Sequence, residues 1–346
     1  MKKYILILGI AYVACSCGGG NTTNESTNTS QNVKDIQIDG SSTVYPVSSA
    51  IAEEFMKAET GVNITISESG SGGGFKKFIR QEIDIANASR PITKKEDSLC
   101  KAAGVEYLEL PIAYDGLVVV VNPKNTWVDY LKKSELKKMW EPAAEGKITK
   151  WSQIRQGWPD EEIHLYGAGT ASGTFDYFTE AICGKAKAIR KDYNPSENDN
   201  VLVQGISSDR LALGYFGIHY YKENSKILKL VPIDDEDDTN GKGPIYPNEI
   251  TVKNGTYQPL SRPLFIYVNK KSTERPEVDK FIQYYLDSAA VKVPETGYIT
   301  LNKSTYELVK KRYLDKITGS LYLDIKTLVG IRPDELYMSE ASQTAQ

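Results

Sequence analysis

The chain has 346 residues, 40% hydrophobic and 25% charged, with a formal net charge of −3. That length accommodates two lobes, each with its own buried core. The charge offers no basic stripe to neutralise a nucleic-acid backbone, so nucleic acid is excluded as a partner and any anion site must be local.

Met1, Lys2 and Lys3 precede the apolar run YILILGIAYVA, which has the length of a signal-peptide hydrophobic region and is short for a membrane span. The run ends in Ala14-Cys15-Ser16-Cys17 followed by glycines, the pattern of a lipoprotein cleavage site. Residues 1–17 are expected to be a lipoprotein signal peptide, with Cys17 lipidated. Cys15 is the alternative, although Tyr12 fits poorly three positions before it. Residues 18–34 carry almost no apolar side chain and are expected to be a flexible tether. The expected location is exported, periplasmic or cell-surface, with the protein held to a membrane by its lipid. Cys100 and Cys183 remain. Their spacing fits no metal site, and either a disulfide or two buried thiols would suit them. No metal and no cofactor are expected.

From Asp35 onward, short β-branched runs alternate with helical patterns: IQIDG, VSSAIAEEFMKAET, VNITISES, FKKFIRQE, DIANAS. This predicts an α/β fold with parallel sheets. Pro46 and the apolar positions Ile51, Phe55 and Met56 mark the first helix, and Gly61 stops it. Residues 105–123 and 259–269 read as extended segments that cross between two lobes. An α/β unit lies between them, and the amphipathic VDKFIQYYLDSAA returns to the first lobe afterwards. Lobe 1 is expected over residues 35–114 and 262–346, and lobe 2 over residues 115–261. Two crossing strands would let the cleft close on a small ligand. The acidic run 234–238 reads as a solvated loop.

Three small-residue loops each follow a strand and open a helix: GSSTVYP (residues 40–46), SGSGGGF (69–75) and GAGTASGTF (167–175). A helix start presents unpaired N–H groups and a partial positive charge, glycine admits close approach, and Ser and Thr hydroxyls add donors. Each loop taken singly also reads as ordinary helix capping. The three together, drawn from both expected lobes, point to an enclosed oxyanion. The spacing is neither a Walker loop nor a dinucleotide fingerprint. Arg90, ahead of Pro91, could direct its planar fork at the same anion or form a surface ion pair.

In order, GSSTVYP, SGSGGGFKKF, DIANASRPI, AYDGLVVVVNP, KMWEPAAEGKITKWSQI, SGTFDYFTEAI and NGTYQPLSRPLFIYVN resemble the PstS-type phosphate-binding proteins of ABC phosphate importers, in the branch first known from cyanobacteria. The resemblance covers residues 36–300. It implies a periplasmic-binding-protein type II fold, two α/β lobes joined by two crossing strands, with inorganic phosphate as ligand and membrane permease subunits as partners. It also implies a monomer and a binding protein rather than an enzyme. It assigns donor roles to Ser42, Thr43, Ser71, Gly72, Ser172, Gly173 and Thr174, with Ser41 and Thr170 beside them. Many relatives have an Arg shortly before the third loop's Ser-Gly-Thr, where this chain has Ala168 and Gly169, which leaves Arg90 as the expected cation. The branch commonly has an acid where Ala171 stands.

Phosphate near neutral pH still carries a proton and sulfate does not, so a selective site needs a buried acceptor. Asp115, in the first crossing segment, is favoured; Asp176 and Glu68 are the alternatives. The competing functions are binding of another tetrahedral oxyanion, a sensor or adhesin role, and a secreted phosphate-ester hydrolase. The last would have to work with only His164 and His219 as histidine bases and without a nucleophile-elbow motif.

Overall fold

The structure is a computed structural model that describes residues 34–170, 172–325 and 332–344. The expected signal peptide, most of the tether, Cys15, Cys17 and Ala171 lie outside the described residues. The described residues open with β1 (Lys34–Gly40), α1 (Tyr45–Ala58), β2 (Val62–Ser67), α2 (Ser71–Ile79), β3 (Ile85–Ala88), α3 (Lys94–Ala102) and the long β4 (Tyr107–Val121). An excursion follows: β5 (Leu131–Lys132), α4 (Lys133–Trp140), β6 (His164–Ala168), α5 (Gly173–Cys183), β7 (Asn194–Ser196) and α6 (Asp199–Ser208). It continues through β8 (Ala212–Gly217), α7 (Ile218–Asn224), β9 (Lys229–Val231), β10 (Ile233–Asp234) and α8 (Glu249–Lys253). The chain then returns through β11 (Ser261–Asn269), α9 (Pro276–Glu295), α10 (Lys303–Leu314) and α11 (Pro333–Thr344).

The main sheet runs β2-β1-β3-β11-β4-β8-β6-β7, with β9 also paired to β4. Pairing is parallel among β1, β2 and β3 and among β6, β7 and β8, as the alternation of strands and helices predicts. The middle differs. β11 is antiparallel to β3 and β4, and β4 is antiparallel to β8 and β9. The cause is topological: the chain leaves along β4 and comes back along β11, so the two strands run in opposite directions. All 15 residues of β4 are buried. Its first part, to Gly116, pairs with β11, and residues from Leu117 onward pair with β8. A strand covered on both faces needs no polar alternation, which accounts for the run Val118 to Val121.

Pro46 lies in the first turn of α1, where its missing N–H costs nothing, and Val47, Ile51 and Phe55 face inward. Phe55 meets Phe281 of α9 edge-on, ring centroids 5.2 Å apart, so α9 does return against α1. The chain after residue 310 also packs on the body. Gly319 bridges to Leu108 of β4, and Tyr337 of α11 is 1% exposed. Cys100 and Cys183 are free thiols, the first buried and the second half-buried. Among the described residues no helix is long and apolar enough to cross a membrane.

Candidate anion-binding site

A cleft of about 900 Å³ lies where the ends of β1, β2 and β3 face the start of α5. Three strand ends are laced together to form one wall. Ser41 N–H donates to Asn87 O at 2.9 Å, and Gly70 N–H donates to Gly40 O at 2.8 Å. Gly40 has φ of +140°, and a Cβ there would sit 2.1 Å from Asn87 O, so no other residue fits. A Cβ on Gly74 would likewise sit 2.7 Å from Gly40 Cα; its absence lets α2 rest on the end of β1. Asp39, 1% exposed, accepts from Ser69 N–H at 3.0 Å, from Ser69 Oγ at 2.8 Å and from the Lys77 ammonium. Burial alone would raise its pKa. Lys77 and Ser69 outweigh burial and hold the carboxyl below its usual range.

The helix starts differ in how they are capped. α1 and α2 have no side-chain cap, whereas Ser172 caps α5, its Oγ accepting from Thr174 N–H at 3.1 Å. The uncapped first turn of α2 leaves N–H donors available to a ligand, whereas at the start of α1 the Val44 and Tyr45 N–H groups both donate to Ser41 O at 3.1 Å and Pro46 has none. Ser41, 2% exposed, has a buried hydroxyl with no hydrogen-bond partner. Ser71 Oγ accepts from Ser89 N–H at 3.0 Å and lies 3.2 Å from Ser89 Oγ. A Cβ on Gly173 would sit 2.5 Å from Thr43 Oγ1 and 3.8 Å from Ser42 Oγ and Ser89 Oγ. The starts of α1 and α5 therefore come nearly into contact, from opposite sides of the crossing strands.

Of the residues expected in the site, Ser41, Ser42, Ser71, Gly72, Arg90, Thr170 and Gly173 line the cleft. Thr43 touches it through Gly173 and Arg262. Ser172 and Thr174 are engaged in capping α5, as the ordinary reading of such a loop has it. Arg90 lines the cleft, but its fork is bound to Glu96 at 2.8 Å on both sides, and Nη1 also donates to Pro91 O at 3.0 Å. Burial works against the Arg90 charge, and Glu96 outweighs it, raising the guanidinium pKa further.

Asp115 does not line the cleft. Its Oδ2 accepts from Arg262 Nη2 at 3.1 Å and Nε at 3.3 Å, across the register that sets Arg262 of β11 opposite Asp115 of β4. Arg262 is the cation that sequence reading missed, which corrects the expectation that Arg90 stands alone. Its Nη2 also reaches Gly173 O at 3.3 Å and Thr43 Oγ1 at 3.4 Å, and its guanidinium lies 4.3 Å from the centre of the Tyr177 ring. A signal was present, because Arg262 is the sole charge in PLSRPLFIYVN, and a lone charge in a buried strand requires a partner. Ser89 and Asp39 were also missed.

Asp176, in the first turn of α5, lines the cleft, and its Oδ1 is buried with no hydrogen-bond partner; Lys187 Nζ is 3.9 Å away. Burial raises its pKa against the lowering effects of Lys187, Arg262 and Arg90. Glu68 is exposed at the cleft mouth. His164 Nδ1 is 2.5 Å from Asp209, and His219 packs on Tyr220, so both histidines are held elsewhere.

The arrangement can enclose a small oxyanion with hydroxyls, backbone donors and one buried guanidinium. Residues 25–289 match the family described as PBP superfamily domain. SphX of Synechocystis sp. is 48% identical over 294 residues, 85% of this chain and 86% of that protein. The phosphate-binding protein PstS of Staphylococcus aureus is 34% identical over 312 residues, 89% and 91% of the two chains. The crystal structure of a possible phosphate-binding protein from Planctomyces limnophilus superposes with a TM-score of 0.72 at 50% identity, covering 82% of this chain and 98% of that one. The chain belongs to the PBP superfamily, with its type II binding-protein fold, in the PstS branch that also holds SphX.

Proposed function

We propose that this chain is an extracytoplasmic receptor that captures inorganic phosphate between two lobes, residues 35–114 with 262–346 and residues 115–261, and delivers it to the permease of an ABC importer. One observation carries the reading: the loop before α1 and the uncapped start of α2 line one cleft with the start of α5 at Gly173, beside the buried Arg262. Such a pocket replaces the water around a tetrahedral ion with fixed donors, which an ion leaving water requires. The relatives named as phosphate-binding proteins favour phosphate among the oxyanions. The working donors are Ser41, Ser42, Thr43, Ser71, Gly72, Gly173 and Arg262, with Ser89 added from the geometry. Asp176 replaces Asp115 as the group that accepts the phosphate proton, because it lines the cleft with an Oδ1 that makes no hydrogen bond, whereas Asp115 lies outside the lining with its Oδ2 bound by Arg262. Lipidation at Cys17 or Cys15 would keep the receptor at the membrane as a monomer, and mass spectrometry of the membrane-bound chain identifies the acylated cysteine.

The hydrolase alternative would need a base beside a nucleophilic serine, and the positions of His164 and His219 give it no support. Calorimetry of the full chain tests the main reading. Phosphate should bind with one site per chain and sulfate far more weakly, and Asp176→Asn should narrow the difference. No heat with phosphate overturns the assignment, and unchanged discrimination in the variant removes Asp176 from its role.

A further inference from the structure

The C-terminal segment touches both sides of the crossing strands. On one side, Gly319 N–H donates to Tyr107 O at 2.9 Å and Leu321 N–H to Glu109 Oε1 at 3.0 Å. Tyr322 stands edge-on against Phe265, with centroids 5.2 Å apart, and the Tyr337 hydroxyl donates to Glu109 O at 2.9 Å. Arg312 ties the two ends of this segment together: its Nη2 donates to Gly319 O at 2.8 Å, and it pairs with Glu340 of α11. All of these anchors lie on β4 before its crossing point, on β11, on α10 or within the segment itself.

On the other side, Arg332 Nη1 donates to Asn254 O at 3.2 Å. A Cβ on Gly255 would sit 2.8 Å from Arg332 Cδ, so the glycine makes room for the arginine stem. Asn254 and Gly255 follow α8, inside the excursion between β4 and β11. The segment also contributes Tyr322, 3% exposed, to the lining of the ligand cleft.

We propose that the two described parts of this segment, residues 319–325 and 332–344, form a latch across the crossing strands, with Arg332 as a positioning residue that favours the closed cleft. The inference rests on the reading of the cleft as one that closes on its ligand. A strap fixed to one half and bonded to Asn254 of the other favours the spacing at which that bond forms. A contact made in one arrangement and lost in the other shifts the equilibrium by its own free energy. Arg332 thus adds to closure without touching the ligand, and it slows opening.

The test uses the full chain with Arg332→Ala. Nitroxide labels at Glu53→Cys and Val201→Cys, both exposed, report the distance between halves, with Cys15→Ala, Cys17→Ala and Cys183→Ala in the background and the buried Cys100 left native. Without ligand, the variant should shift the distance distribution toward longer separations. With phosphate, release should be roughly five-fold faster, the scale of one lost hydrogen bond. An unchanged distance distribution overturns the latch, and so does a lowered melting temperature with closure intact. Should the parent chain fail to bind phosphate, the ligand assignment falls while the distance measurement still decides the latch.

Discussion

Arg262, which lines the cleft, and Asp115, which does not, neutralise each other, 8% and 2% exposed. Arg262→Gln alone leaves the Asp115 carboxylate buried without its cation, which costs about 3–5 kcal/mol. Arg262→Gln with Asp115→Asn should recover most of that stability in a thermal melt, while phosphate affinity by calorimetry stays at least about ten-fold down. Parent-like affinity in the double variant would mean that Arg262 serves only to hold Asp115. Each of the two residues is visible in the sequence as a charge within an apolar strand, Arg262 the sole one in β11 and Asp115 one of two acids in β4. Their pairing is not, because it depends on the register of two strands almost 150 positions apart along the chain. Arg90 misleads for a more local reason. Glu96 takes its fork and at the same time completes a capping box with Thr93, a partnership that the spacing Thr-Lys-Lys-Glu offers.

The three helix starts were legible as loops, since strand, then small hydroxyl and glycine residues, then helix is a local pattern. Where the helices begin was less so. α2 starts at Ser71 and α5 at Gly173, earlier than apolar periodicity suggests, because the glycines contribute no hydrophobic signal. That early start is what brings Gly173 against Thr43. Gly173→Ala should leave the ligand-free melting temperature nearly unchanged or slightly raised, since alanine favours helix. The added methyl group would meet Thr43 Oγ1, a side-chain end that can turn away but only by leaving its place beside the cleft, so phosphate binding should weaken about ten-fold or more. Calorimetry on the parent and the variant checks this, and equal affinity would mean that the two helix starts do not need to approach so closely.

Over the whole molecule, the α/β class and the return of the chain to its first half follow from the alternation of patterns, whereas the seating of the C-terminal segment does not. That seating depends on Glu109, an acid in β4 with 0% exposure. Burial pushes its pKa from 4.5 up to about 7, against the lowering effects of Ser320, Tyr267, the Leu321 N–H and Arg312; the Tyr337 hydroxyl also faces it. A carboxyl with a raised folded value binds its proton more tightly in the native state. Its contribution is therefore fully present below pH 4.5 and is lost as pH rises through 7, an amount of about 3 kcal/mol. Denaturant titrations between pH 4.5 and pH 8 should show this decline in the parent and a flatter profile in Glu109→Gln; identical slopes would sink the assignment.

Both guanidiniums that line the cleft are paired, Arg262 with Asp115 and Arg90 with Glu96, and the lysines that line it, Lys76 and Lys187, are exposed, so at contact range a ligand is held mainly by oriented dipoles. Mobile ions weaken attraction between distant charges far more than they weaken hydrogen bonds inside a closed pocket. Scavenging by this protein should therefore proceed in brine nearly as well as in fresh water.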